Sequence, residues 1–386
     1  MYRVAFLGYE SDYQGGINYF NNLFFSVNSL TNPKIKIIAF VGKKSNYQYN
    51  LYSNHVSVVK TSVLDRFSFL WLVNRVGYRL FGYPIIINFY MKKYNIDVLS
   101  HSFYHHRLLR YKTLNWIPDF QPLIYSHLWK EKEIKTWKQV FYKHIKESDG
   151  VVLSSNDALK DYTKFAPLYV KKARVLHFVS QPSVSLNVVH NKNIREKYNV
   201  KGKFFFLPNQ FWKHKNHLVV FEAVKILKKT TNIIVVCSGL LKDFRNNDNS
   251  HVEGLLNFIK VNNLKENIKI LGMIDYDEVL WFMKNSIAVI NPSLFEGWSS
   301  TVEESKSMGK QVVLSDINVH KEQNPKNGIF FYADSPLELS FILEDLISSG
   351  GNVFDMIEVK KDLENRVIEF GIGYQNIIIE LLGKSR

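Results

Sequence analysis

The feature that most constrains the fold is a regular alternation between short strand-like runs and longer segments with helical apolar spacing. Runs rich in β-branched and aromatic residues occur in the first half at residues 4–8, 35–41, 97–100, 114–117, 150–154 and 174–179. A second series occurs at residues 204–207, 232–238, 268–271, 288–291 and 311–315. This alternation is typical of parallel βαβ units, so the sequence predicts two α/β domains, each with a doubly wound parallel sheet.

The stretch between the two series, residues 180–203, is the predicted linker. It contains Pro182, several Ser and Asn residues, and little apolar periodicity. A chain of 386 residues is also longer than one ordinary domain. We therefore predict a first domain over residues 1–180 and a second over residues 181–364, with ligands at the carboxyl ends of the strands.

Composition and charge restrict the class of protein and of partner. With 46% hydrophobic and 22% charged residues, the chain has a globular rather than a disordered composition. The net charge of +15 favours a polyanionic partner, which leaves nucleic acid, anionic lipid and a diphosphate-bearing substrate open. Cys237 is the only cysteine, so no internal disulfide can form and nothing indicates an oxidising compartment.

The sequence predicts neither a signal peptide nor a membrane span. Its first residues run directly into the strand-like stretch at 4–8, without the apolar region and cleavage site of a signal peptide. The most membrane-like segment, residues 66–90, is interrupted by Arg75, Arg79 and Pro84. We therefore expect a cytoplasmic protein.

The most informative motif is NPSLFEGWSSTVEESKSMG at residues 291–309, which follows a predicted strand and runs into a short helix. Ser299, Ser300 and Thr301 lie at the predicted start of that helix. Free backbone N–H groups and the positive end of the helix dipole favour an anion at such a position. The motif therefore predicts a diphosphate site.

The same motif carries two carboxylates that can accept hydrogen bonds from sugar hydroxyls. Glu296 lies in the loop, and Glu304 lies one turn into the helix. However, Thr301 with Glu304, or Ser300 with Glu303, also fits the capping box of an ordinary helix. Taken without further information, the residues leave ligand binding and capping equally open.

Residues 292–315 resemble the signature of the GT4-type retaining glycosyltransferases, a group 1 family of bacterial surface-polysaccharide type. That family has the GT-B fold, in which two doubly wound Rossmann-like domains face a central cleft. The resemblance implies that Glu296 contacts the donor sugar and Glu304 the ribose hydroxyls. It also implies that N–H groups near Ser299, Ser300 and Thr301 hold the diphosphate.

A second motif, PNQFWKHKNH at residues 208–217, resembles the basic donor loop of the same family. Lys215 matches the family's phosphate-binding lysine, and a lysine beside the developing phosphate charge needs no metal ion. Gln210 stands where the family usually has an arginine, so Lys213 or His214 is expected to supply the second cation. Without the resemblance, the lysines also fit a solvated helix start.

Further donor-binding positions follow from the resemblance. Asn209 lies in the basic loop, Gly239 follows the next strand, and Gly16 lies where the family has a glycine-rich loop. A plain turn is the alternative for the first-domain glycines. The family fold also implies a final helix, at about residues 365–386, that packs back on the first domain.

Candidate acceptor-side residues lie in the first domain. Residues 115–121, NWIPDFQ, resemble a bacterial variant of the family in which Asp119 faces the cleft. Asp119 is thus a candidate to orient the acceptor or accept its proton, with His101, His105, His106 and His127 as nearby alternatives. His101, His105 and His106 also allow a metal site, but they lack a companion Cys or well-spaced carboxylate, and we expect no metal.

Residues 66–93 interleave aromatic and basic side chains, a pattern that suits an anionic membrane interface. The alternative is that the aromatics are core and the charges lie on solvated helix faces. With the first interpretation, the protein is expected to be peripheral on the inner face of the cell membrane. An acceptor carried on a lipid diphosphate fits both the charge and the aromatics.

The resulting prediction is a retaining, metal-independent glycosyltransferase of hexosyltransferase type. It would transfer a sugar from a nucleotide-diphosphate sugar to a lipid-linked glycan acceptor in surface polysaccharide or O-antigen (lipopolysaccharide) synthesis, without a cofactor. The alternatives are a sugar-nucleotide epimerase or another enzyme of the same fold, and a basic nucleic-acid-binding protein. The last explains neither the glutamate pair nor the loop order, so we do not expect nucleic acid as a partner.

Overall fold

The structure is a computed structural model that describes residues 1–8, 14–44, 56–102, 109–181, 194–243, 249–352 and 354–383. The chain divides into two compact units. The first comprises Met1–Leu123, Lys132–Val179 and Glu364–Arg386, and the second comprises Ile124–Glu131 and Ser180–Leu363. The sequence-based domain boundaries did not separate residues 124–131 from the first domain.

The described part of the first unit contains a parallel sheet in the order β3-β2-β1-β4-β5-β6-β7. Its strands are β1 Tyr2–Gly8, β2 Ile35–Val41, β3 Ser57–Lys60, β4 Val98–Ser100, β5 Lys112–Ile117, β6 Gly150–Leu153 and β7 Ala173–Val175. The helices from this part of the sequence are α1 Gln14–Asn28, α2 Phe69–Phe81, α3 Ile85–Lys93, α4 Gln121–Ile124, α5 Glu131–Glu147 and α6 Asn156–Phe165.

Continuous apolar runs explain the central strands of this sheet. In β1 the residues from Val4 to Leu7 are all buried, as expected for a strand covered by helices on both faces. It pairs in parallel with β2 along its whole length, from Tyr2 opposite Ile35 to Gly8 opposite Val41. Chain crossovers then place the following helices on the two faces of the sheet.

The described part of the second unit contains a parallel sheet in the order β10-β9-β8-β11-β12-β13. Its strands are β8 Phe205–Leu207, β9 Val235–Cys237, β10 Ile268–Ile270, β11 Val289–Asn291, β12 Val312–Ser315 and β13 Gly328–Phe331. The helices that follow are α7 Ile194–Lys197, α8 His217–Leu227, α9 Ser250–Val261, α10 Tyr276–Asn285, α11 Ser300–Ser307, α12 Asn318–Gln323, α13 Pro336–Ser349 and α14 Met356–Gly383. The predicted class of two doubly wound parallel-sheet units is thus confirmed.

The long final helix, α14, belongs to both units. Its residues up to Leu363 group with the second unit and those from Glu364 onward with the first. In the first unit, the buried hydroxyl of Tyr374 donates a hydrogen bond to Ser100 Oγ at 2.8 Å. Gln375 Oε1 accepts from the backbone N–H of Lys34 at 2.6 Å. These polar contacts hold the last part of α14 against the first unit.

Two expectations from the sequence concern the linker and a membrane span. Most of the predicted linker, residues 182–193, lies outside them. Among the helices that the structure describes, none is long and apolar enough to cross a membrane.

Candidate functional site

The candidate site lies at the carboxyl ends of β8, β11 and β12. In the second sheet, β8 has β9 on one side and β11 on the other, so the strand order reverses at this point. Crevices for ligands form at such a switch point because the loops on either side lead to opposite faces of the sheet. The two motifs singled out from the sequence follow β8 and β11.

An ion pair joins these two loops. Lys215 ends a short 3-10 helix after β8, and its Nζ lies 2.6 Å from Oε1 of Glu296 in the loop after β11. Both side chains are mostly buried, with 14% and 10% exposed. Burial alone would raise the pKa of Glu296, but the Lys215 ammonium outweighs that effect and the pKa is lowered. The site thus holds a buried carboxylate and a buried ammonium in direct contact.

The start of α11 offers two free backbone donors. Ser299 is the N-cap residue, and its Oγ accepts from the backbone N–H of Val302. Its own N–H donates to Gln323 Oε1 at 3.2 Å. In the described part of the chain, the N–H groups of Ser300 and Thr301 have no hydrogen-bond partner. Of the three residues predicted for a diphosphate, two therefore keep their N–H groups free, while that of Ser299 is already used.

A buried amide network fixes the position of this helix start. Asn209 Nδ2 donates to Asn291 Oδ1 at 3.0 Å, and Asn291 Nδ2 donates to Ser299 Oγ at 2.8 Å. Ser293 Oγ also donates to Asn291 Oδ1, at 2.8 Å. The side chain of Asn209 is 4% exposed. Its hydrogen bond to Asn291 joins the loop after β8 to the end of β11. Its direct contact in this structure is with protein, and binding of the donor by its side chain stays a prediction.

Glu304 lies one turn into α11 and is buried. Its Oε1 accepts from the hydroxyl of Tyr276 at 2.7 Å, and Ser180 Oγ lies 3.5 Å from the same atom. Burial raises the pKa of Glu304 to about 7, although these two hydroxyls act in the opposite direction. Neither of the predicted capping boxes forms, because Ser299 is the cap and Glu303 pairs with Lys306 and Gln323.

This pKa makes a stability prediction. Between the ordinary value of 4.5 and about 7, the unfolded chain loses a proton from Glu304 while the folded chain retains it. The free energy of unfolding of the wild type should therefore fall by about 3 kcal/mol as the pH rises through this window. In the Glu304→Gln variant this fall in the free energy of unfolding should be absent. Urea unfolding of both proteins across the window measures the difference, and parallel pH profiles would contradict the assignment.

His320, on α12, is a site residue that the sequence analysis missed. Its Nδ1 lies 2.9 Å from the carbonyl oxygen of Ser315, which only accepts, so the neutral ring carries its proton on Nδ1. Burial lowers the pKa of His320 to about 4, and the charge of Glu296 opposes that shift. Among the described residues no partner is found for its buried Nε2. A neutral histidine thus keeps an unused acceptor within electrostatic reach of the ion pair.

The backbone packs closely where the loops after β8 and β9 meet. Gly239 has φ of 145°, and a Cβ atom there would lie 2.3 Å from the carbonyl oxygen of Asn209. Its N–H donates to the carbonyl oxygen of Gly272 at 2.9 Å. Gly239 therefore acts through close packing of the loop that carries Asn209. Lys213 is exposed, and its backbone N–H donates to Asp243 Oδ2 at 3.2 Å.

Residues 124–131, which belong to the second unit, contact the loop that carries Glu296. The hydroxyl of Tyr125 donates to the carbonyl oxygen of Leu294 at 2.9 Å, and its ring lies 5.4 Å from that of Phe295. The backbone N–H of Leu294 donates to the carbonyl oxygen of His214 at 2.8 Å. Hydrogen bonds to Tyr125 and to His214 thus hold the residues just before Glu296.

The candidate residues of the first unit lie in a helix turn or make hydrogen bonds with other residues of that unit. Gly16 lies in the first turn of α1. Asp119 Oδ1 accepts from the backbone N–H of Gln121 at 2.8 Å, at the start of α4. His101 contacts Tyr19 and Ser100 through its two ring nitrogens, at 2.9 and 2.8 Å.

The alternative metal site cannot be built from the described residues, since His105 and His106 lie outside them. Burial lowers the pKa of His101 to about 3, and both its ring nitrogens have hydrogen-bond partners. Among the described residues, no group of three or more His, Cys, Asp or Glu side chains is arranged to hold a metal ion.

Solved structures with this architecture cover nearly the whole chain. A glycosyltransferase from Rickettsia africae is 16% identical over 99% of this chain and 98% of its own, with a TM-score of 0.62. Anabaena Alr3699/HepE, solved with UDP and glucose, is 12% identical over 100% and 98%, with a TM-score of 0.63. The lipopolysaccharide outer core galactosyltransferase WaaB is 14% identical over 98% and 99%, with a TM-score of 0.59. The fold is therefore that of the GT-B glycosyltransferases.

The family of the second unit follows from its sequence. Residues 190–364 match the model of the family described as glycosyl transferases group 1, so this part of the chain is a glycosyl transferases group 1 domain. The O-antigen chain mannosyltransferase RfbU of Salmonella typhimurium is 22% identical over 152 residues. That match covers 39% of this chain and 40% of RfbU, so the chain spans less than half of this relative.

Proposed function

We propose that this protein transfers a sugar from a nucleotide-diphosphate sugar to a glycan acceptor, with retention of the anomeric configuration. The observation that carries the proposal is the buried Lys215–Glu296 pair in the same site as the free N–H groups of Ser300 and Thr301. A cation and a helix start are what an incoming diphosphate requires. The group 1 family match over the same residues supports this assignment.

In the proposed mechanism, one set of groups stabilises the leaving diphosphate and another positions the donor. Lys215 and the start of α11 neutralise the charge that develops on the diphosphate as its bond to the sugar breaks. Glu296 accepts hydrogen bonds from hydroxyls of the transferred sugar and Glu304 from those of the ribose, which positions the donor. The acceptor hydroxyl then attacks from the face that the diphosphate leaves, while the acceptor's proton passes to the departing phosphate or to Asp119.

The acceptor is proposed to be a lipid-linked glycan of surface polysaccharide or O-antigen synthesis. Support comes from the limited similarity to RfbU, an O-antigen chain mannosyltransferase. Support also comes from the surface of the first unit. A lipid-linked acceptor requires the enzyme to work at a membrane surface.

That surface consists of the exposed side chains of residues 66–93, here called the basic apolar surface. Along α2, the side chains of Phe69, Leu72, Val76 and Leu80 are 77%, 51%, 46% and 68% exposed and recur every three to four residues. The segment carries five Lys and Arg residues and no Asp or Glu. Its most exposed aromatics are therefore not core, and an exposed apolar face with only positive charge fits an anionic bilayer.

A ligand screen tests the proposed donor class and the absence of a metal requirement. Nucleoside diphosphates should raise the melting temperature of the protein in the presence of a chelator, because Lys215 and the α11 start supply the positive charge. At about 100 times Kd, a ligand that binds only the folded state adds about 2.7 kcal/mol of stability. The corresponding nucleosides, tested at the same concentration, are the matched control. Protection that disappears in chelator would contradict the metal-free proposal.

A further inference from the structure

A cavity in the first unit is lined in part by residues of the segment 66–93. Its volume is about 380 Å³, within the range of small-molecule sites. Its polar lining includes Tyr83, Asn88, Lys92, Asn95, Arg110 and Tyr111. Asn95 lies just before β4, and Arg110 and Tyr111 lie just before β5, so the cavity is at the amino ends of these strands. Ligands of doubly wound domains bind at the opposite, carboxyl ends, and this cavity is therefore separate from such a site.

The charge of this cavity is positive and unopposed. Lys92 and Arg110 line it, and within the described residues neither side chain has an ion-pair or hydrogen-bond partner. None of its described lining residues is Asp or Glu. Two cations that converge on one cavity without a carboxylate favour an anion there, because charge-assisted hydrogen bonds to an anion would satisfy both.

An independent observation comes from Tyr111. This side chain is 6% exposed and lines the cavity, and no partner for its buried hydroxyl is found among the described residues. A buried hydroxyl without a hydrogen bond is costly, so such groups usually mark a missing partner. A phosphate oxygen is an acceptor for this hydroxyl as well as for the two cations.

We propose that this cavity binds the phosphate group of an anionic phospholipid and so attaches the first unit to the bilayer. The proposal rests on the membrane association proposed above and names its lipid contact. The argument for a lipid rather than a soluble phosphate comes from α3. On that helix, Asn88, Met91 and Lys92 line the cavity, while Ile85 and Phe89 are 42% and 60% exposed on the adjacent face. A headgroup in the cavity would place its acyl chains beside these apolar side chains.

The test measures cosedimentation of the full chain with phosphatidylcholine vesicles that contain phosphatidylglycerol. Lys92→Ala removes a cation of the cavity, and Tyr111→Phe removes only the unpartnered hydroxyl. The matched control is Lys93→Ala, which removes the neighbouring cation of α3 that does not line the cavity. Phosphatidylcholine vesicles with oleate in place of phosphatidylglycerol supply negative charge without an anionic phospholipid.

The expected losses differ between the variants. Lys93→Ala should weaken vesicle binding about fivefold, the effect of one cation near an anionic surface. Lys92→Ala should weaken it about thirtyfold, since a charge-assisted hydrogen bond is also lost. Tyr111→Phe should weaken it about tenfold on phosphatidylglycerol and leave binding to oleate vesicles unchanged. Without vesicles, Tyr111→Phe should be at least as stable as the wild type.

Three results would overturn the proposal. Equal losses in Lys92→Ala and Lys93→Ala, with none in Tyr111→Phe, would show general surface attraction. If inorganic phosphate raises the melting temperature in a Tyr111-dependent manner while the vesicle results do not change with the variants, the ligand is a soluble phosphate. If the wild type binds no vesicle, membrane attachment is wrong, and sugar transfer to a detergent-dispersed acceptor shows whether the proposed catalytic function still holds.

Discussion

Lys215→Met should lower kcat/KM for sugar transfer by about 10²–10³-fold, the loss seen when one donor that stabilises a developing negative charge is removed. Lys215 Nζ is a buried cation that already contacts the Glu296 carboxylate at 2.6 Å. The same change should lower the free energy of unfolding by about 3 kcal/mol, because it leaves Glu296 buried without its partner. Steady-state kinetics and urea unfolding measure the two effects.

The double variant Lys215→Met with Glu296→Gln separates these effects. Removal of both charges should restore most of the stability, since no buried charge is left unpaired. Activity should stay at the level of Lys215→Met or below it. Recovery of activity together with stability would mean that the ion pair only supports the loops and has no part in the chemistry.

Gly239→Ala should lower the free energy of unfolding by about 3 kcal/mol and weaken nucleotide binding. The new Cβ would lie 2.3 Å from the carbonyl oxygen of Asn209, so one of the two loops must move. Movement of Asn209 would disturb the network that ends at the N-cap of α11. Chemical denaturation and nucleotide titration measure the two losses.

Gly272→Ala is the matched control for this change. Gly272 also has a positive φ, of 70°, but among the described residues no atom beyond its two chain neighbours lies within 4 Å of the position that its Cβ would occupy. It should therefore cost only the local backbone penalty of about 1 kcal/mol and leave nucleotide binding unchanged. Similar losses in both variants would show that backbone conformation, and not contact with Asn209, makes Gly239 necessary.

The strands that could be predicted are those with continuous apolar runs. β2 was located at residues 35–41, its observed bounds, because its run is uninterrupted. β3, with the sequence SVVK, and β13, with GIFF, were both missed. Each is a four-residue strand at an edge of its sheet, where burial is incomplete and the apolar pattern is too short to identify.

The site could be predicted where its residues lie in local motifs. The structure places Lys215 against Glu296, although 81 residues separate them in the chain, because their loops follow adjacent strands. Tyr276 and His320 were missed, since each reaches the site from a different helix through tertiary packing. The sequence also did not reveal that Asn209 and the Ser299 N–H are satisfied within the protein, because such pairing depends on the folded loops.

The most direct test of the proposed donor site is isothermal titration calorimetry with a nucleoside diphosphate and the matching nucleoside, in chelator, on wild type and Lys215→Met. If Lys215 holds the diphosphate, its loss should weaken binding of the diphosphate by about tenfold or more and leave binding of the nucleoside unchanged. Equal effects on the two ligands, or binding of the diphosphate only when a divalent metal is added, would contradict this account.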